Sequence, residues 1–233
     1  MIHQIQQAVG IANSSTADLV LKKQALEYIG QAKSSDNAAH LFSSLLQDSN
    51  SDDLCKFVAL QVLSDLVSES NKDQLFFIKT AIIEFLRGKV SQDARDPEYV
   101  RNKIAELVSR LFYYMYGEVN GNLWSTYFQD LIQLFGLGPL QNGVSSEYSV
   151  LSLDYFLRIS LAINSEIADQ TFVRSKEIQV KNNRLKDTMR LQDVQLLTSL
   201  WFHVLKTVQQ QQQQYELAGL TLSCIGSYIS WVD

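Results

Sequence analysis

The stretch Asp96-Pro-Glu-Tyr-Val-Arg-Asn-Lys-Ile-Ala-Glu-Leu-Val-Ser-Arg-Leu-Phe-Tyr-Tyr-Met115 decides the fold class. Ile104, Leu107, Val108, Leu111 and Met115 recur at i, i+3, i+4, i+7 and i+11, which draws one apolar stripe down a helix. Its start is written in a cap residue, Asp96, followed by proline in the first turn and an acid behind it. That order suits the unpaired amides and positive dipole end of a helix N-terminus. Asn120-Gly121-Asn122 stops the pattern.

Outward from this helix the same period repeats in pairs. Towards the N-terminus, Ile2, Ile5, Val9 and Ala12 mark a short helix ending at Asn13-Ser14-Ser15. A second begins near Thr16 and carries Leu19, Leu26 and Ile29. Ala38, Leu41, Phe42, Leu45 and Leu46 form a third stripe, and Leu54, Val58, Val62 and Leu66 a fourth, with Asp48-Ser-Asn-Ser-Asp52 between them. Phe76 to Leu86 lie on one helix. Towards the C-terminus, helices are expected over 123–137, 147–168, 191–208 and 215–232. Pairs therefore start near residues 1, 35, 72, 121 and 190. The first intervals suit the two-helix HEAT or armadillo repeat, whose faces are hidden only by stacking on neighbours. The chain thus reads as all-α, a HEAT-repeat solenoid (a right-handed superhelix of about five antiparallel pairs). It carries an extra segment near 169–190, and its apolar, uncapped close suggests the amino-terminal part of something longer. No stretch alternates as a strand would.

Composition agrees. The chain has 233 residues, 46% hydrophobic and 19% charged, with only Pro97 and Pro139 to interrupt helices. Neither a signal-peptide pattern nor an apolar run of membrane-spanning length is present, and Cys55 and Cys224 stand too far apart for a CxxC site. Two buried, reduced thiols in an intracellular protein are expected. His3, His40 and His203 lack metal-ligand spacing. Phosphate-cradling GxxxxGK[ST], dinucleotide GxGxxG, nucleophile-elbow GxSxG and zinc HExxH signatures are all missing, so a binding module is a better reading than an enzyme. Trp124, Tyr127 and Phe128 fall at core spacing. Gln209 to Gln214 reads as a low-complexity helix end or loop.

Two charged segments remain. From 174 to 190 there are six basic and two acidic residues, a net of +4, while the remainder carries 14 basic and 23 acidic, a net of −9. Arg174, Lys176, Lys181, Arg184, Lys186 and Arg190 could neutralise a nucleic-acid backbone and release its counterions. They could equally coat a solvated linker helix, and charge alone leaves both open. From Asp36 to Asp73 the balance is acidic, which could steer a basic partner or simply cap helices; Asp52 and Asp53 read as caps.

Arg101-Asn-Lys-Ile-Ala-Glu-Leu107, Asn122-Leu-Trp124 and Phe128-Gln-Asp-Leu131 resemble the exportin-type segment of importin-β-like receptors, near 97–168. Ile163-Asn-Ser-Glu-Ile-Ala-Asp-Gln170, Arg174-Ser-Lys-Glu177, Lys181-Asn-Asn183, Leu185-Lys-Asp187, Met189-Arg190 and the close Cys224-Ile-Gly-Ser-Tyr-Ile-Ser-Trp231 resemble the fungal tRNA exportins of that family. The resemblance implies a receptor that binds tRNA together with Ran in its GTP state and shuttles between nucleus and cytoplasm past nuclear pore proteins, as a monomer. It would need no cofactor, GTP being held by Ran. The second helices of each pair, here roughly 16–32, 51–70, 97–117 and 147–168, would line a concave Ran-facing surface. Asp52, Asp53, Lys56 and Arg101 are the Ran-contact candidates it suggests, and the six cations of 174–190 those for tRNA. A receptor for protein cargo and a HEAT scaffold are the alternatives.

Overall fold

The structure, a computed structural model, describes residues 1–137, 149–169, 171, 173–210 and 215–232. Among them are α1 (Ile2–Asn13), α2 (Leu19–Lys33), α3 (Ala38–Gln47), α4 (Asp53–Val67), α5 (Lys72–Gln92), α6 (Glu98–Met115), α7 (Tyr127–Leu134), α8 (Val150–Ile167), α9 (Lys176–Gln192), α10 (Val194–Gln210) and α11 (Tyr215–Val232), with a 3-10 turn at Glu118–Asn120. The described residues contain no strand, and no helix long and apolar enough to cross a membrane. The fold is all-α and of the helical-repeat type. Residues 1–86 and 96–107 form one compact unit, and 87–95 with 108–233 a second.

In the first unit α1 packs on α2, α3 and α4, and α3 on α4. Ile5, Val9, Phe42, Leu45, Leu60 and Leu63 are completely buried there. Two details depart from the sequence reading. Helix α2 starts at Leu19, because the Asp18 side chain accepts from Val20 N–H and sets the cap there. Its expected stripe also fails: Leu19 and Leu26 are 82% and 59% exposed, and only Ala25 is buried.

In the second unit α11 packs against both α8 and α10, and α9 against α8, α10, α11 and the 3-10 turn. The core is aromatic: Phe112 stacks on Tyr116 at 4.7 Å, and Trp124 meets Tyr127 edge-on at 4.6 Å. Trp124, Tyr127 and Phe128 are core residues, as their spacing suggests. The helix expected over 123–137 is shorter, Tyr127–Leu134. Gly117 and Gly121 adopt the left-handed region (φ +75° and +68°) and fold the chain back. Trp124 N–H then donates to Met115 O at 2.9 Å, and Trp124 Nε1 to Asp130 at 2.7 Å, so helical pairing begins only afterwards. Gly117 also lies against α9, where a side chain would meet Leu185 and Thr188 at 3.4–3.5 Å. Cys55 and Cys224 are free and buried. Gln209 and Gln210 belong to α10, and 211–214 lie outside the described residues.

Candidate functional site

The basic segment forms helix α9. Ser175 caps it by accepting from Ile178 N–H, Glu177 occupies the first turn, and Arg190 the last, in keeping with the helix dipole. Asn182, Leu185 and Met189 recur at i, i+3 and i+7 and are buried. The helix is therefore anchored within the second unit by this face. Asp193 closes its C-terminus. That side chain is buried, accepts from the Tyr116 hydroxyl and from Gln129 Nε2 (3.2 Å), and ties α9 to the aromatic core. Burial pushes its carboxyl up, partly offset by those two donors.

The structure sorts the six cations into different surroundings. Arg174 donates to the carbonyls of Ser165 (2.9 Å), Glu166 (3.0 Å) and Asp169, closing the C-terminus of α8. Arg190 donates to Trp231 O near the end of α11, pairs with Asp187, and lies 5.6 Å from the Trp231 ring. Lys181 sits 4.0 Å over the Tyr113 ring and 4.7 Å from that of Tyr114, and burial lowers its pKa. Lys186 is half-buried on the other flank of the helix, its pKa lowered by burial and then by Arg190 and Arg174. Lys176 and Arg184 are exposed, and with Val119, Val180 and Lys181 they line a shallow cleft of about 400 Å³. Thus Lys176, Lys181 and Arg184 share one flank, Lys186 lies on the opposite one, and the two terminal arginines serve helix ends.

The other four candidates lie in the first unit, where Asp53, Lys56 and Arg101 gather round the buried Asp96. Asp52 is the α4 cap, accepting from Cys55 N–H at 2.8 Å, and that hydrogen bond holds its carboxyl below its ordinary value. Lys56 donates to Asp53 (2.8 Å) and Asp96 (3.1 Å); burial opposes its charge, but these hydrogen bonds outweigh it and raise the pKa. Arg101 is 4% exposed, with Nε donating to Asp96 O. Asp53, in the first turn beside the cap, is the most exposed partner of the Lys56 pairs, at 41%.

No group of three or more metal-binding side chains occurs among the described residues. A family model described as "Exportin 1-like protein" matches residues 97–233, more than half of the chain. The chain belongs to the exportin 1-like family. This exportin 1-like chain is 55% identical over 233 residues to Exportin-T of Vanderwaltozyma polyspora, 53% over 233 residues to that of Eremothecium gossypii, and 40% over 242 residues to that of Saccharomyces cerevisiae. Each alignment covers 100% of the chain and 22% of the relative, so the chain spans about a fifth of the length of these curated relatives. A designed armadillo repeat protein for modular peptide recognition aligns over 96% of the chain at 13% identity, with a TM-score of 0.34, too remote for any argument.

Sequence reasoning missed Asp193, Tyr116 and Gln129, which fix the basic helix. The one available signal was a carboxylate between two apolar-periodic helices.

Proposed function

We propose that this chain serves a nuclear export receptor that carries tRNA from nucleus to cytoplasm together with Ran in its GTP state. The exposed flank of α9 contributes part of the tRNA surface. The observation that supports it best is the pair Lys176 and Arg184, standing in solvent on an anchored helix of a chain that is otherwise acidic. Rigid placement matters because phosphate contacts made by pre-ordered side chains lose less entropy on binding. Lys181 adds charge beside two tyrosines. An A-form stem would be met through phosphates and 2′-hydroxyls, hence by shape.

For Ran, the proposal keeps Asp52, Asp53, Lys56 and Arg101 as the cluster to test, with Asp53 the most available for contact. Its GTP stays on Ran, and the chain itself takes no cofactor and performs no catalysis. Shuttling past nuclear pore proteins as a monomer completes the reading. The exportin-T names of the relatives support the tRNA assignment.

Fluorescence anisotropy of labelled tRNA tests it, with Ran·GTP, with Ran·GDP and without Ran. Binding should strengthen with Ran·GTP. Lys176→Glu with Arg184→Glu should weaken it and reduce the logarithmic salt slope by about 2, one per lost phosphate contact. Binding that ignores both reversals would remove α9 from the interface, and binding indifferent to the Ran nucleotide would remove the export mechanism.

A further inference from the structure

On the side of α9 away from Lys176 and Arg184, a polar cleft of about 400 Å³ lies between the helix and the end of α8. It is lined by Ile167, Asp169, Arg174, Asn182, Asn183 and Lys186, among others. Asn182 is only 3% exposed. Its Nδ2 donates to Glu166 O at 3.5 Å, while Oδ1 has no hydrogen-bond partner. A buried acceptor without a donor costs about 1–3 kcal/mol, so a native fold that retains one calls for an explanation.

The charges around the cleft are also unbalanced. Arg174 is engaged with three carbonyls, and the Asp169 carboxylate is turned to its own loop, accepting from Thr171 N–H (2.8 Å) and Oγ1–H (2.7 Å). Lys186 makes no ion pair among the described residues, and Arg174 and Arg190 repel it, against attraction from Asp187 alone. Asn182 thus brings to the wall of the cleft an acceptor short of one donor, and Lys186 a cation short of one anion. A ribose with its phosphate supplies both, the 2′-hydroxyl as donor and the phosphate as anion; deoxyribose supplies only the second.

We infer that this cleft takes one ribose-phosphate unit of an RNA backbone, with Asn182 Oδ1 accepting from the 2′-hydroxyl and Lys186 contacting the phosphate. The helix then distinguishes RNA from DNA by a contact separate from the exposed cationic flank. This rests on the RNA-binding reading above. A free nucleotide offers the same chemistry, and the continuous basic helix favours the polymer.

The test is anisotropy with the whole 233-residue chain, using an RNA hairpin, the same hairpin in DNA, and RNA carrying single 2′-deoxy substitutions. The unmodified chain should prefer RNA over DNA about three- to tenfold, the worth of one hydrogen bond, with the loss traced to one substituted position. Asn182→Leu should bring the RNA-to-DNA ratio towards one with DNA binding unchanged. Lys186→Gln, on a half-exposed residue, should weaken both about equally and lower the salt slope by about 1. Adenosine monophosphate at millimolar concentration should compete poorly; efficient competition would make the site a nucleotide site and overturn the polymer assignment. RNA binding with every 2′-deoxy substitution tolerated equally would overturn the cleft inference and leave the RNA reading standing. Absence of any RNA binding would instead sink the RNA reading itself.

Discussion

Replacing Asp193 asks whether the basic helix is held in place by a buried carboxylate. The side chain is 1% exposed and accepts from Tyr116 and Gln129, while its backbone carbonyl accepts from Leu197 N–H at 2.9 Å in the first turn of α10. Because burial raises its pKa above 3.8, the native chain keeps a proton that the unfolded chain has released between that value and the folded one. The stability linked to this group is then complete below 3.8 and is lost as pH rises through the folded pKa. Asp193→Asn removes the ionisation, keeps an oxygen for Gln129, and offers an N–H to the Tyr116 oxygen. Asp193→Ala leaves the buried Tyr116 hydroxyl without its acceptor, at about 1–3 kcal/mol, while the exposed Gln129 amide turns to water. Urea unfolding followed by tryptophan fluorescence reports the second unit specifically, since Trp124, Trp201 and Trp231 all lie there. Relative to the parent, the asparagine variant should gain stability as pH rises from 3.8 through the folded value towards neutrality, and the alanine variant should be destabilised throughout. A flat asparagine-to-parent difference, or an alanine variant as stable as the parent, would refute the argument.

Other outcomes follow from the same geometry. Asp52→Ala should cost about 1 kcal/mol by removing the α4 cap, measured by circular-dichroism melting. Since the folded carboxyl lies below its ordinary 3.8, that difference should persist above 3.8 and shrink as pH falls through the depressed value. Arg190→Ala should destabilise the second unit by about 1–3 kcal/mol, against about 0.5 kcal/mol or less for Lys176→Ala; equal losses would contradict the division between helix-end and exposed cations. Burial pushes the Cys55 and Cys224 thiols up to about 12, so a disulfide reagent near neutral pH should label neither until urea is added. Rapid labelling of the native chain would contradict that burial.

The helix order was legible because amphipathic period is a local property. Ile104, Leu107, Val108, Leu111 and Met115 announce α6 from spacing alone, and each is fully buried. What failed was geometry between elements. Nothing in Leu19 and Leu26 says that α2 buries Ala25 and leaves both leucines in solvent, because the sequence lists which faces are apolar and not which neighbour covers them. Nor does Asn122-Leu-Trp124 reveal that two left-handed glycines delay α7, since glycine permits a left-handed turn without requiring one. The candidate site was legible as charge and illegible as function: the i, i+3, i+7 set Asn182, Leu185 and Met189 carries a polar member, which weakened the apolar signal that would have shown the helix to be packed.

Formal charge and available charge therefore differ, and the difference governs how this helix should be probed. A net of +4 over 174–190 suggests six equivalent cations. Arg174 instead closes α8 and Arg190 binds a carbonyl of α11, both acting on negative helix ends, where a cation contributes to folding whether or not RNA is present. Reversing Arg174 to Glu would set a carboxylate against three carbonyl oxygens, so any loss of RNA binding would report unfolding as much as recognition. Lys181 is similarly compromised by its two tyrosines. Lys176 and Arg184 make no such contacts among the described residues, and their reversal changes the surface potential with little effect on packing. If RNA affinity follows those two residues while the melting temperature does not, the electrostatic surface is theirs; if affinity follows only the arginines that close helices, then the charge of this segment belongs to the fold.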